Sequence, residues 1–178
     1  MLDTDTKKTI VLEGEFEDVV EVQNHYYLVS KKNRVAVVPY TIDSKGLLDK
    51  IGVVKDYNYL TEEYNFTIIN GYITTDDGTN LVAANRILHD VTHLDMPNAY
   101  KLMYLGELFN TLTSDSALEV YCVDLTNKNL KETKKSEAME FEFVDSFTVI
   151  TSDDTLLLSS YFRLFNYFYT NSLREHNT

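Results

Sequence analysis

Apolar and polar positions alternate along the first third of the chain, in short runs separated by polar breaks. "TIVLEGEF", "DVVEVQ", "HYYLVS", "RVAVVPYTI" and "LDKIGVVKDYNYL" are rich in β-branched and aromatic residues, with "KKN" and "DSKG" between them. That pattern predicts strands joined by turns. "NFTIINGYITTDDG" adds a strand running into turn chemistry at Asn70-Gly71 and Asp77-Gly78. The period then changes. Leu81, Ala84, Leu88, Val91 and Leu94 recur at three- and four-residue intervals, so residues 80 to about 94 are expected as a helix. Thr79 or Asn80 can cap it, and Pro97 lies just beyond its end. Strand patterns return in "KLMYLGELF" and "ALEVYCVDL", and a charged loop follows from 126 to about 138. "EFEFVDSFTVI" reads as a short strand, and "SDDTLLLSSYFRLFNYFYTNSL" as a final helix starting at Ser152 or Asp153. The order predicts an α+β fold.

Composition narrows the function classes. A chain of 178 residues with 44% hydrophobic and 25% charged positions is globular, and 1–178 is expected as a single domain. A net charge of -12 argues against nucleic acid as a partner, because phosphate tracking needs clustered Lys and Arg. Lys131, Lys134 and Lys135 are interleaved with Glu132 and followed by Glu137, which reads as a solvated loop. Cys122 stands alone in "EVYCVDL" and reads as a buried structural thiol. No apolar run is long enough to span a bilayer, and no basic start precedes an apolar stretch at the N-terminus. The expected location is therefore the cytoplasm, or a virion for a viral chain, with no membrane partner.

The candidate chemistry centres on "RILHDVTHLDM", where His89 and His93 stand four apart with Asp90 between them. On a helix they share a face, which is the start of a zinc site. Such a site needs a third ligand and a longer carboxylate base, and neither His25 nor His176 has ligand spacing. His89 and His93 read instead as surface or cap residues, Asp76 and Asp77 as turn residues, and Asp153 and Asp154 as helix-start residues. The aromatic group Tyr161, Phe162, Phe165, Tyr167, Phe168 and Tyr169 is too wide for one core stripe, so part of it is expected to face a partner.

A wider segment, "INGYITTDDGTNLVAANRILHDVTHLD", resembles the signature of the Nudix hydrolases, a glycine loop leading into a helix of the form Ala-Ala-x-Arg-Glu-Leu-x-Glu-Glu-x-Gly. Here 83–93 takes those places. "YKLMYLGELFNTLTSDSALEVYCVDLT", "EFEFVDSF" and the final helix resemble the ADP-ribose pyrophosphatase branch, so the likeness runs over nearly the whole chain. It implies a Nudix-type α/β/α sandwich with a mixed β-sheet. Residues 1–50 would form a β-rich N-terminal region, used for dimerisation by strand exchange, and 51–178 the Nudix core.

The family binds Mg²⁺ or Mn²⁺ through helix glutamates, and this chain departs from that pattern. Ile87 follows the signature arginine, Arg86, and Asp90 and Val91 replace the paired glutamates. Gly78 stands at the loop glutamate, His93 at the closing glycine, and Asn58 at an arginine ahead of the signature. Arg86 is expected to have lost its partners, and the family's loop base falls near Ser116, with Asp115 and Glu119 as stand-ins. These departures predict a protein that is not an enzyme, holds no metal and uses no cofactor. It would be a non-catalytic binding or structural protein that self-associates or joins other protein subunits. A nucleotide ligand is allowed through Tyr57, Gly71, Arg86 and Asp90, or through backbone amides between Asn70 and Asn80. Two alternatives stand beside it. One is a residual ADP-ribose-type hydrolase using Asp90 with Glu107, Asp115 or Glu119. The other is a virion or scaffold subunit without a small ligand.

Overall fold

The computed structural model of the protein describes residues 8–58, 62–94, 101–109, 117–128 and 140–175. Three N-terminal strands, β1 (Thr9–Leu12), β2 (Glu17–Val22) and β3 (His25–Ser30), form a small antiparallel sheet. Gln23 and Asn24 join β2 to β3 with φ of 51° and 65°, the left-handed pair that a two-residue hairpin loop needs. Phe16 stacks on Tyr72 with ring centroids 4.4 Å apart, and this contact ties the small sheet to the rest of the chain.

The large sheet contains β4 (Arg34–Ile42), β5 (Leu48–Asn58), β6 (Glu63–Thr67), β7 (Ile69–Tyr72), β8 (Met103–Phe109), β9 (Ala117–Asp124) and β10 (Glu140–Asp145). Its spine runs β10-β5-β4-β9-β8. β4 and β9 are parallel, while β4 pairs antiparallel with both β5 and β7. The sheet is therefore mixed. One edge of β4 is shared: Tyr40 to Ile42 pair with β5, and Arg34 to Val37 pair with β7. β6 continues along β5 until Ile68, where the chain crosses to β4 as β7.

Helices cover both faces. α1 (Asn80–Thr92) lies on one, and α2 (Ser146–Ile150) and α3 (Thr155–Glu175) on the other. Period-two alternation along β4 divides its side chains between two cores. Val35 and Val37 join Ala83, Ala84, Ile87 and Leu88 of α1. Ala36, Val38 and Tyr40 join Leu157, Tyr161 and Leu164 of α3. This is the α/β/α sandwich that the resemblance implies, and it explains why "VAVVPY" is apolar throughout instead of alternating. Cys122 belongs to the α3-side core, and burial pushes its thiol up to about 12, so it is inert. No helix among the described residues is long and apolar enough to cross a membrane.

Three boundaries differ from the sequence expectations. Residues 146–150, expected as strand, are helical, because the Asp145 side chain accepts from Thr148 N at 2.8 Å and starts a turn. α3 is capped by Asp154, which accepts from Leu157 N at 2.8 Å, and not by Ser152 or Asp153. The small sheet ends at Ser30, so β4, inside the expected N-terminal region, is the centre of the large sheet. Pro97 and the lysines at 131, 134 and 135 fall outside the described residues.

A bulge in β8 shapes the α1 face. The register slips between Tyr104 and Gly106, and Gly106 has φ 109°. Arg163 of α3 donates to Leu105 O at 3.1 Å and Glu107 O at 2.5 Å, so its guanidinium fills the kink. Beyond it Leu108 returns to the α3-side core, and Glu107 falls opposite Glu119 of β9. A Cβ at Gly106 would collide with Arg163 Nη1 in a backbone conformation that disfavours any side chain. Gly106→Ala is expected to lower stability by about 1–3 kcal/mol in urea denaturation. Gly46→Ala, also at positive φ but with open space around its Cβ, should cost less, about 1 kcal/mol.

Candidate functional site

The loop between β7 and α1 folds back along the helix through Asp77. Its carboxylate accepts from Thr74 N at 2.7 Å and Thr74 Oγ1 at 2.9 Å, closing the loop back on residues ahead of it. The same carboxylate accepts from Arg86 Nε at 2.7 Å and Arg86 Nη2 at 2.8 Å. Arg86 Nη2 also donates to Tyr72 O at 3.0 Å, so one guanidinium ties the end of β7, the loop and α1 together. Arg86 beside it, with help from the Thr74 donors, holds the Asp77 carboxyl well below the usual carboxylate range despite its burial. The expectation that Arg86 had lost its partners is therefore corrected. Asp77 is both a turn residue and the missing partner, and a nine-residue separation across a loop has no periodic signature.

The other signature positions are resolved one by one. Ile87 is 5% exposed and lies over Gly71, where an added Cβ would stand 2.9 Å from Ile87 Cδ1. Gly71 pairs with Val35 in the sheet. It serves close packing of helix on strand. Amides at Ile73, Thr74, Asp77 and Thr79 are likewise spent within the chain, on Asn33 O, Asp77 Oδ2, Thr74 O and Asp77 O. Val91 is half-buried against the α1-side core, and Asp90 is exposed, 3.4 Å from Arg86 Nη1. His93 is the C-cap of α1, with φ 54° and its N–H on His89 O at 2.7 Å. It has left the helix, so the two imidazoles do not share a helical face; their centroids are 6.4 Å apart with perpendicular rings. The left-handed conformation there is the one that glycine favours, in keeping with the glycine of the Nudix signature. Tyr57 follows Ile51 and Val53 on the α3 side of β5, against Tyr64 at 5.1 Å, and is not brought to Arg86 and Asp90.

A second acidic group lies at the start of α1. Glu119 shares its side of β9 with Tyr121 and Val123, which pack in the α1-side core. Its carboxylate accepts from Asn80 Nδ2 at 2.5 Å and Tyr121 Oη at 2.7 Å. Burial, then the hydrogen bond to Glu119, push the Tyr121 hydroxyl above its ordinary range, so it remains a donor. Glu107 stands across the strand pair on the same side, and Tyr104 lies 5.5 Å from Tyr121. The sequence analysis took Asn80 only as a helix cap or loop end and did not single out Tyr121, although alternation in "LEVYCVD" already puts Glu119 and Tyr121 on one face. Asp115 and Ser116 lie outside the described residues.

Among the described residues the donor set does not fit the divalent cation that the resemblance implies. Asp90 is ten residues along α1 from Asn80, roughly 15 Å of helix axis, so Asp90 and Glu119 cannot share one ion. Ile87 and Val91 offer no oxygen. Among the described residues no group of three or more His, Cys, Asp or Glu side chains could hold a metal.

The Asp77 clamp has a pH signature. Its folded-state pKa is below the unfolded value, so the stabilisation is complete above about pH 4 and fades as pH falls through the folded value. Asp77→Asn is expected to cost about 2 kcal/mol at pH 7, less than a fully buried pair because Arg86 keeps one edge in water. The gap from the parent protein should shrink toward pH 2 in denaturation series. His93→Gly relieves the left-handed cap and should raise stability by about 0.5–1 kcal/mol.

No protein-family model matches the chain, and no curated protein sequence does. Solved structures do. An ADP compounds hydrolase aligns at TM-score 0.64 and 17% identity over 93% of each chain. A C. elegans Ap4A hydrolase aligns at 0.57 and 13%, covering 79% of this chain and 98% of that one. Shewanella oneidensis NrtR aligns at 0.55 and 15%, covering 73% and 60%. The expectation that the chain is not an enzyme is overturned here, because two of these neighbours are hydrolases and the first spans nearly the full length of both chains. Substituted signature positions do not by themselves remove a fold from catalysis. The chain thus shares the fold of these structures, as its resemblance to the Nudix hydrolases implies.

Proposed function

We propose that this protein binds a nucleoside-diphosphate compound on the α1 side of the sheet and hydrolyses its diphosphate linkage. The observation that carries the proposal is the fold match to an ADP compounds hydrolase over 93% of both chains. Glu119 is the group best placed to take the proton of the attacking water. Asn80 and Tyr121 donate to its two oxygens and hold the carboxylate in one orientation, which lowers the cost of positioning a base. Water attacks phosphorus, the bridging P–O bond breaks, and the proton passes from Glu119 to the departing phosphate oxygen. Arg86 and Asp77 keep the loop and helix in place without touching the reacting atoms.

Turnover is expected to be slow, because little positive charge stands on this face to offset a diphosphate. The test is a panel of ADP-ribose and dinucleoside polyphosphates, read by chromatography in EDTA, Mg²⁺ and Mn²⁺. Glu119→Gln should lower kcat by at least about 100-fold with its melting temperature kept. Asp90→Asn should retain most of the activity. A parent protein inactive on the whole panel, or a fully active Glu119→Gln, would remove this assignment.

A further inference from the structure

The pairing of β8 with β9 starts at Met103 and Cys122, and beyond it the two segments part. A cavity of about 420 Å³ opens there, lined by Lys101 and Met103 at the start of β8 and by Asp124, Asn127 and Lys128 at the end of β9. That volume lies within the usual range of small-molecule sites, roughly 300–1,000 Å³. Its position separates it from the α1-side site. Asp124 follows Leu118, Val120 and Cys122 on the α3 side of β9, whereas Glu119 lies on the other side, about 17 Å back along the strand. The walls are held by the protein itself. Asp124 Oδ1 accepts from Thr126 N at 2.8 Å and Thr126 Oγ1 at 2.5 Å, and Thr126 Oγ1 accepts from Ile42 N at 2.9 Å. Leu125 N donates to Tyr40 O at 2.9 Å, and Lys128 N closes the turn on Leu125 O at 3.0 Å. The turn that carries Asn127 and Lys128 is thus tied to β4. On the opposite wall Tyr167 Oη donates to Met103 Sδ at 3.1 Å, and Met103 packs against the α3-side core. Walls fixed in this way reduce the ordering cost of binding.

The charges select the ligand. The protein has 28 Asp and Glu against 16 Lys and Arg, yet two lysines meet one aspartate at this cavity. Among the described residues neither Lys101 nor Lys128 has an ion-pair partner, unlike Lys31 and Arg86. Two such ammonium groups favour a doubly charged anion, and a phosphate monoester carries about 1.5 to 2 negative charges at neutral pH. A bare phosphate answers only half of the lining, because Asp124 repels it. Both bonds from Thr126 go to Asp124 Oδ1, and Oδ2 has no partner among the described residues. An ionised carboxylate only accepts, while the Asn127 amide both donates and accepts. These two groups suit hydroxyls. Phosphate at the lysines and hydroxyls at Asp124 and Asn127 together describe a sugar phosphate. A nucleic acid fits poorly, since its further phosphates would meet the surface of a chain with net charge -12.

We propose that this cavity binds a phosphorylated sugar, with Lys101 and Lys128 on the phosphate and Asp124 and Asn127 on the hydroxyls. The test is calorimetric titration of the full chain with glucose 6-phosphate, ribose 5-phosphate, inorganic phosphate and glucose. At least one sugar phosphate should bind with a dissociation constant of about 1 mM or tighter. Inorganic phosphate should bind at least about tenfold more weakly, and glucose not at all. Lys101→Gln and Lys128→Gln should each weaken the sugar phosphate at least about tenfold, with the melting temperature kept. Asp124→Asn should narrow the gap between sugar phosphate and inorganic phosphate, because it removes both a hydroxyl acceptor and a repelling charge. Glu119→Gln should leave binding unchanged, which separates this cavity from the α1-side site whether or not that site hydrolyses a diphosphate. Five results would each overturn the proposal: no binding by either sugar phosphate, equal binding of inorganic phosphate, binding unaffected by either lysine change, an unchanged gap in Asp124→Asn, or binding lost in Glu119→Gln.

Discussion

The parallel pairing of β4 with β9 is the constraint on which the rest of the molecule depends. Seven residue pairs, from Arg34 with Leu118 to Tyr40 with Asp124, run side by side in the middle of the sheet. A parallel pair cannot be closed by a tight turn, so the chain between them must cross over, and α1 is carried on that crossover. Strands covered on both sides bury nearly every side chain, and Val35, Ala36, Val37 and Val38 are all 0% exposed. The same pairing brings the first residues of β9 beside the first residue of α1. Without it Glu119 would have no Asn80 to hold it, and the proposed site would not exist.

Around that frame, the substitutions in the signature helix form a consistent set. Ile87 is an aliphatic side chain over a glycine, so a position polar in the resembling family has become part of the α1-side core. The half-buried guanidinium of Arg86 is still matched, but by the buried Asp77 from the loop. The group that burial penalises is the Asp77 carboxylate, and Arg86 supplies the charge that keeps it from standing unpaired. The helix still ends in a left-handed residue although His93 is not glycine. The packing and electrostatic requirements of the fold have thus been met with different side chains, while acidic chemistry sits at the helix start, on Glu119 with Glu107 nearby.

The bulge at Gly106 links the two faces of the sheet. Arg163, on the α3 side, holds the kink by two carbonyls, and the kink sets Glu107 opposite Glu119 on the α1 side. Using the one charged residue between 155 and 170 for this purpose also leaves the rest of that stretch of α3 without charge. Geometry at the candidate site and the surface character of α3 are two consequences of one side chain.

Much of the architecture was legible from the chain alone, because it rests on local chemistry. Period-two runs marked the strands, three- and four-residue spacing marked α1, and Thr79 caps it as its side-chain oxygen allows. The 146–150 helix was hidden because "FTV" favours strand, and only the Asp145 cap overrides that preference. Pairings between distant residues were not legible. Asp77 with Arg86, Glu119 with Asn80, and Ile87 over Gly71 each join segments whose separation follows no period, so no pattern along the chain points to them. A residue's type determines what bonds it can make, and those capacities were readable from the start. Which partner lies within 3 Å is decided by the crossover and the sheet register, and these exist only once both cores have closed.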